Sequence, residues 1–343
     1  MSGKLTLKNG IIVPARMFIQ TKSSKELSIL DKAIRGDEIS VAIVRSSGGI
    51  GDVLMTFPVV KALKKKYNCK LTYVTTYGYL GGALQKVAQH NPYIDNVLDF
   101  AHYKEINYDI NINLTCPCVA HEVPKALPIH RIDLFARYCG ITLEDKKIDY
   151  IVTQDESNWA TSWYEERNLD PKNCIILQPY ASNVRRSYDI KNLQRAILQC
   201  VEQNPKMKFV LIRHSSDWDK DTGWDLRNVC HAKDFDITSI AALTEQANMV
   251  LCQDSAILHL AGALDKKIVG LFGPTDYRAR MYPKMKALCP GEQLACWPIW
   301  YAGTIAQVIE TWRLLTPNMI SSAVTEMFSV SDNTYSRINV EEI

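Results

Sequence analysis

Short apolar runs alternate with stretches of helical spacing twice along this 343-residue chain, and that rhythm constrains the fold more than any single motif. In the first half, "SVAIVR" (40–45), "KLTYVTTY" (70–77), "IDNVLDF" (94–100) and "YDININ" (108–113) read as strands. Between and after them, "DVLMTFPVVKALKKKY" (52–67) reads as one helix with Pro58 in its first turns. "GALQKVAQHN" (82–91) and "HRIDLFARYCG" (130–140) read as two more, the last ended by Gly140. "KKIDYIVTQDES" (146–157) breaks the rhythm. After the helical "SNWATSWYEERN" (157–168) it resumes with strands at "NCIILQPY", "KFVLIRH", "NMVLCQDS" and "KKIVGLFGP", and helices around 189–203, 238–247 and 256–264. "TPNMISSAVTEMFS" (316–329) predicts a last helix with Pro317 at its first position.

Strand and helix in alternation predict parallel, doubly wound sheets, and the length suits two cores at roughly 150 residues each. The expected division is a lead-in at 1–40, a first domain at 41–155, a second at 156–310, and a C-terminal helix and tail at 311–343 that packs back on the first domain.

Hydrophobic residues make up 47% and charged residues 22%, which excludes a disordered chain. The net charge of +3 does not specify nucleic acid, but six lysines and no acid lie between Val53 and Ile94, which predicts a basic face. Ten cysteines without a signal-peptide pattern point to reduced thiols in the cytoplasm. No apolar run reaches the roughly 18 residues of a membrane-spanning helix, so membrane contact is expected to be peripheral, at an inner membrane.

"SSGGIGD" (46–52) places Gly48, Gly49, Gly51 and Asp52 between strand and helix. A dinucleotide fingerprint fails there twice: Leu54 stands where the third glycine belongs, and no ribose-binding acid follows at the usual distance. A Walker loop fails as well, because no lysine lies between Arg45 and Lys61. The glycines read either as turn formers or as room for an anionic ligand to approach. Asp52 reads either as a helix N-cap or as a carboxylate that takes a proton from an acceptor hydroxyl; a helix N-terminus would make it a weak base that acts late.

The second half repeats the grammar in "VLCQDSAILHLAGALDKKIVGLFGPTDYR" (250–278), with Asp254 and Ser255 at a helix start and His259 one turn in. These are capping residues or, equally, part of a phosphate-holding helix terminus. Together with the glycine loop, with "HRIDLFARYCGI" and with "ILQPYASNVRRSYDIKNL", this stretch resembles the ADP-heptose:lipopolysaccharide heptosyltransferase family, glycosyltransferase family nine, over most of residues 40–328.

The resemblance implies an α/β GT-B fold: two Rossmann-like parallel-sheet domains facing across a cleft, with acceptor on the first and nucleotide-sugar on the second. It implies inverting transfer from an ADP- or UDP-linked sugar to a saccharide or lipid-linked glycan, with Asp52 as general base. Donor binding falls to Ser182, Arg186, Asp254, Ser255 and His259. No cofactor is implied; Mg²⁺ is compatible but not demanded, since no D-x-D pair stands at a plausible diphosphate site. Two departures touch the donor site: Arg186 stands where the family has lysine, and Ala256 where it has glycine.

Two alternatives remain open. One is a glycosyltransferase that modifies hydroxylated bases in DNA, suggested by the lysine run, "YRAR" (277–280), "KMK" (284–286) and the aromatic "WPIWY" (297–301). The other is a sugar-nucleotide-binding protein without turnover. Cys116, Cys118, His121 and His130 resemble a ligand cluster, but C-x-C is not a zinc knuckle, and no metal is expected.

Overall fold

The computed structural model describes residues 4–6, 12–14, 32, 35–115, 129–213, 223–289 and 304–330. The chain divides into two compact units, residues 1–123 with 129–151, and residues 124–128 with 152–343.

In the lead-in, β1 (Lys4–Thr6) pairs antiparallel with β2 (Ile12–Pro14). The first unit's sheet contains β3 (Ile39–Val44), β4 (Cys69–Thr75), β5 (Asn96–Asp99) and β6 (Ile110–Asn113) in the order β5-β4-β3-β6, every pair parallel. Helices α1 (Ile50–Leu54), α2 (Phe57–Lys66), α3 (Ala83–Gln89) and α4 (Arg131–Cys139) supply its connections and covering layers. Val41, Ile43, Leu71 and Tyr73 of the sheet are fully buried, as are Val60 and Leu84 of the helices. A parallel strand covered on both faces has no polar side to show, which is why these segments read as continuous apolar runs.

The second unit begins with α5 (Gln154–Glu165), whose N-terminus carries a reciprocal capping box between Thr153 and Glu156. Its sheet contains β7 (Cys174–Gln178), β8 (Lys208–Arg213), β9 (Val229–Lys233), β10 (Met249–Gln253), β11 (Lys267–Leu271) and β12 (Met285–Leu288). The order is β12-β11-β10-β7-β8-β9, again wholly parallel. The intervening helices are α6 (Ile190–Gln203), α7 (Ile237–Gln246) and α8 (Ala256–Ala263), followed by α9 (Ile305–Arg313) and α10 (Pro317–Ser329).

Several expectations change. The single helix expected at 52–67 is two, because Pro58 has no amide to give the Leu54 carbonyl and its ring crowds that turn. Thr56 closes the break: its hydroxyl donates to the Val53 carbonyl at 2.6 Å and pairs with the Tyr73 phenol at 2.9 Å. Strands β9 and β12 were not legible, since both lie at sheet edges with half-buried residues and no alternation. Helix α10 also differs from its expected packing on the first domain. Its Ile320, Ala323, Val324 and Met327 are buried in the second unit's core with Leu193, Ile197 and Val269.

The expected basic face is largely neutralised within its own unit. Lys61 meets Asp145 and Asp149, Lys64 meets Asp95 at 2.8 Å, and Lys65 meets Glu144. The seven described cysteines form no disulfide, and burial pushes the thiols of Cys139, Cys174 and Cys200 up to about 12. No helix among the described residues is long and apolar enough to cross a membrane.

Asp109 pins the starts of β3 and β6 together. Its carboxylate accepts from the Ser40 amide at 2.9 Å, the Ser40 hydroxyl at 3.0 Å and Lys32 at 3.0 Å. Burial alone raises its pKa, but the Ser40 and Lys32 bonds outweigh burial and hold it below the usual carboxylate range. A depressed folded pKa stabilises above the unfolded value and stops doing so as pH falls through the folded one. Asp109→Asn is therefore expected to cost about 1.5–3 kcal/mol in urea unfolding at neutral pH, with the deficit closing below roughly pH 4.

Candidate active site

In a doubly wound sheet the chain leaves two neighbouring central strands in opposite directions, and the crevice outside their carboxyl ends takes the ligand. In the first unit those strands are β3 and β6. Arg45 directly follows β3, and its Nη1 spans the crevice to donate to the Leu114 carbonyl and, at 2.9 Å, to that of Thr115. Its guanidinium lies 5.5 Å from the centre of the Phe135 ring. Its Nη2 lies 3.1 Å from Asp52 Oδ2, and Arg131 Nη1, from the first turn of α4, lies 2.5 Å from Asp52 Oδ1.

Asp52 is not the N-cap of α1. Gly49 holds that position, and Asp52 sits three residues in, with Oδ2 accepting the Gly49 amide at 3.0 Å. Gly48 lies beside the same carboxylate at φ +110°, and a Cβ there would stand 2.5 Å from Arg45 Nη2. Gly48 is therefore required by both backbone and space. Gly51 is a buried residue of α1.

The second unit's switch point lies between β7 and β10. Gln253, the last residue of β10, is fully buried; its side chain donates to the Pro179 carbonyl and accepts from the Tyr188 amide at 2.8 Å. It thereby fixes both ends of the loop that carries Ser182 and Arg186. Arg186 closes a 3-10 turn (Val184–Arg186). Its Nη2 donates to Ser182 Oγ at 2.7 Å, and its Nη1 donates to the Asp254 carbonyl at 3.0 Å and to Asp254 Oδ2 at 3.4 Å. Asp254 Oδ1 is met at 3.0 Å by Arg280 Nε, both side chains being almost wholly buried.

Ser255 occupies the N-cap of α8, but its hydroxyl makes no capping bond, and this buried oxygen has no hydrogen-bond partner. His259, one turn in, pairs through Nδ1 with the Tyr282 phenol at 2.7 Å. Burial drives that phenol's pKa upward, partly relieved by the Arg280 charge.

The sequence profile of glycosyltransferase family 9 (heptosyltransferase) matches residues 119–290, just over half of the chain. The chain belongs to glycosyltransferase family 9. The match spans Arg131, the Ser182–Arg186 loop, Asp254, Ser255, His259 and Arg280, and begins after the Asp52 loop. Among solved structures, a family 9 glycosyltransferase from Veillonella parvula DSM 2008 is similar at a TM-score of 0.67 with 15% identity, covering 84% of this chain and 97% of that one. E. coli heptosyltransferase WaaC with ADP is similar at 0.58 with 14% identity, covering 84% and 100%. E. coli ADP-heptose lps heptosyltransferase II is similar at 0.56 with 13% identity, covering 84% and 98%. At these identities the structural likeness speaks for the fold, two parallel-sheet α/β domains of the GT-B class. Comparison with curated proteins finds no significant match.

As a family 9 glycosyltransferase the chain is an enzyme, so a binding protein without turnover is no longer the reading. The geometry also adds residues that sequence reasoning missed. Arg131 and Gln253 join the candidate residues through contacts between positions 79 and 65 apart, Arg45 spans 69 positions to Leu114 besides meeting Asp52, and Arg280 comes from a segment that read merely as a basic patch. His130, placed in a ligand cluster by sequence, caps α4 with Nδ1 accepting the Ile132 amide at 3.2 Å. Cys116, Cys118, His121 and "WPIWY" lie outside the described residues. Gly48→Ala is expected to lower unfolding free energy by about 1–3 kcal/mol in a urea titration, through the strained backbone and the displaced Arg45.

Proposed function

We propose that this glycosyltransferase transfers a sugar, with inversion, from a nucleoside-diphosphate sugar to the hydroxyl of a saccharide or lipid-linked glycan. The observation that carries the reading is Arg186 at the switch point of the six-stranded sheet, held between the Ser182 hydroxyl and Asp254. A guanidinium there, beside the α8 N-terminus and the unpartnered Ser255 hydroxyl, is suited to a diphosphate. The Asp254 carboxylate, paired with two arginines, is no partner for a phosphate. In this scheme it orients Arg186, and His259 contributes by fixing the Tyr282 segment rather than by direct contact.

Asp52 is assigned the base. The acceptor O–H proton passes to its carboxylate as the acceptor oxygen bonds to the anomeric carbon and the bond to the diphosphate breaks. The departing charge falls to Arg186, Ser182 and the first amides of α8. Arg45 and Arg131 fix the carboxylate by its two oxygens, and two guanidiniums keep it anionic, so it takes the proton late in bond formation. The relatives' ligands, ADP and ADP-2-deoxy-2-fluoro heptose, make an ADP-linked heptose the first donor to test and a UDP-linked sugar the second. The DNA-base alternative loses support because Lys61, Lys64 and Lys65 of the run that suggested it are paired with carboxylates.

With donor and a panel of glycan acceptors, Asp52→Asn should retain donor binding by calorimetry while transfer falls by about 10²–10⁴-fold. Transfer at the wild-type rate removes the base assignment. Arg186→Ala should weaken nucleoside diphosphate binding by at least about tenfold, since it deletes a charge-assisted contact. Because the counter-charge is assigned to protein groups, transfer should persist in EDTA; its loss there would transfer that role to a metal ion.

A further inference from the structure

We infer that Arg280 is a positioning residue for the diphosphate grip, acting through Asp254 to keep Arg186 available to the ligand. The inference rests on the nucleoside-diphosphate reading above and adds to it a residue from another part of the fold. Arg280 is only 4% exposed, so it does not serve as a surface cation. It ends the 3-10 turn Tyr277–Arg280, and the chain around it is fixed on both sides. On one side, Asp276 accepts the Arg278 amide at 3.0 Å. On the other, the Tyr282 phenol is bonded to His259, and its ring lies so close over Gly262 that a Cβ there would stand 2.5 Å from a ring carbon.

That anchoring delivers Arg280 Nε to Asp254 Oδ1 at 3.0 Å, while the other oxygen meets Arg186 Nη1 at 3.4 Å. The two contacts are unequal. Charge-assisted N–H···O bonds usually close to about 2.7–2.9 Å, so the carboxylate leans on Arg280 and holds Arg186 loosely. Arg186 also donates to the Asp254 carbonyl at 3.0 Å and to Ser182 at 2.7 Å. Without Arg280, the Asp254 carboxylate would be released to turn both oxygens onto Arg186, the bidentate geometry that guanidinium and carboxylate prefer. Arg186 would then be drawn inward and its charge neutralised before a phosphate arrives. Arg280 thus occupies the carboxylate so that Arg186 need not.

The test is a double-substitution cycle read by calorimetry with ADP as ligand, and with UDP if wild type prefers it, using protein whose urea midpoint confirms folding. Arg280→Gln is expected to weaken binding about tenfold in the wild-type background and by less than about twofold when Arg186 is already alanine, because the effect runs through that residue. Arg280→Lys, which keeps the buried charge but not the planar fork, should lose only about threefold and show the same dependence on Arg186. It carries the cycle alone if Arg280→Gln does not fold. Equal binding by wild type and the Arg280 variants overturns the inference. So does a loss of equal size in both backgrounds, which would mean that Arg280 meets the phosphate directly. Wild type that binds neither ADP nor UDP defeats the donor reading itself, a result distinct from either.

Discussion

A carboxylate shared between two guanidiniums stands at the switch point of each sheet: Arg45–Asp52–Arg131 in the first unit and Arg186–Asp254–Arg280 in the second. Charges wholly or largely withdrawn from water are costly unless each finds partners, and removing one leaves the others exposed to that cost. Much of the local structure serves these two clusters. Gly48 leaves room for Arg45, the Leu114 and Thr115 carbonyls receive its donors, and Gln253 fixes the loop that delivers Arg186. The same parts that tie strands together therefore orient the groups to which chemistry is assigned.

The clusters differ in what they leave available. Asp52 is partly exposed and lies beside the glycine loop, whereas Asp254 is buried and meets both its arginines. One carboxylate reaches solvent; the other does not. This contrast follows from chain geometry. Asp52 sits one turn inside a short helix that opens on glycine, while Asp254 directly follows a strand whose five residues are all buried. Arginine at position 186 suits this arrangement, since its fork reaches Ser182 with one nitrogen and Asp254 with the other, a division that a lysine ammonium makes with less geometric control.

The two alternating halves, most of their strands and the helices at 130–140, 189–203 and 316–329 were legible because burial on both faces or on one helical stripe leaves a periodic trace. Edge strands β9 and β12 leave no such trace, and the break before Pro58 was misread because the apolar spacing runs unbroken across it. At the site, Asp52, Ser182, Arg186, Asp254, Ser255 and His259 stand in motifs short enough to recognise. Their partners do not. Arg131 reaches Asp52 across 79 positions, and Gln253 reaches Tyr188 across 65.

By itself the sequence determined that this chain forms two parallel α/β halves and that its polar motifs fall at strand ends, because strand and helix periods and the residues of tight turns are local properties. Only the tertiary structure decided which charges share a carboxylate, that Lys61, Lys64 and Lys65 are spent on Asp95, Glu144, Asp145 and Asp149, and that His259 holds Tyr282. Those pairings depend on strand order and on loops meeting at a switch point, and strand order has no periodic signature in the chain.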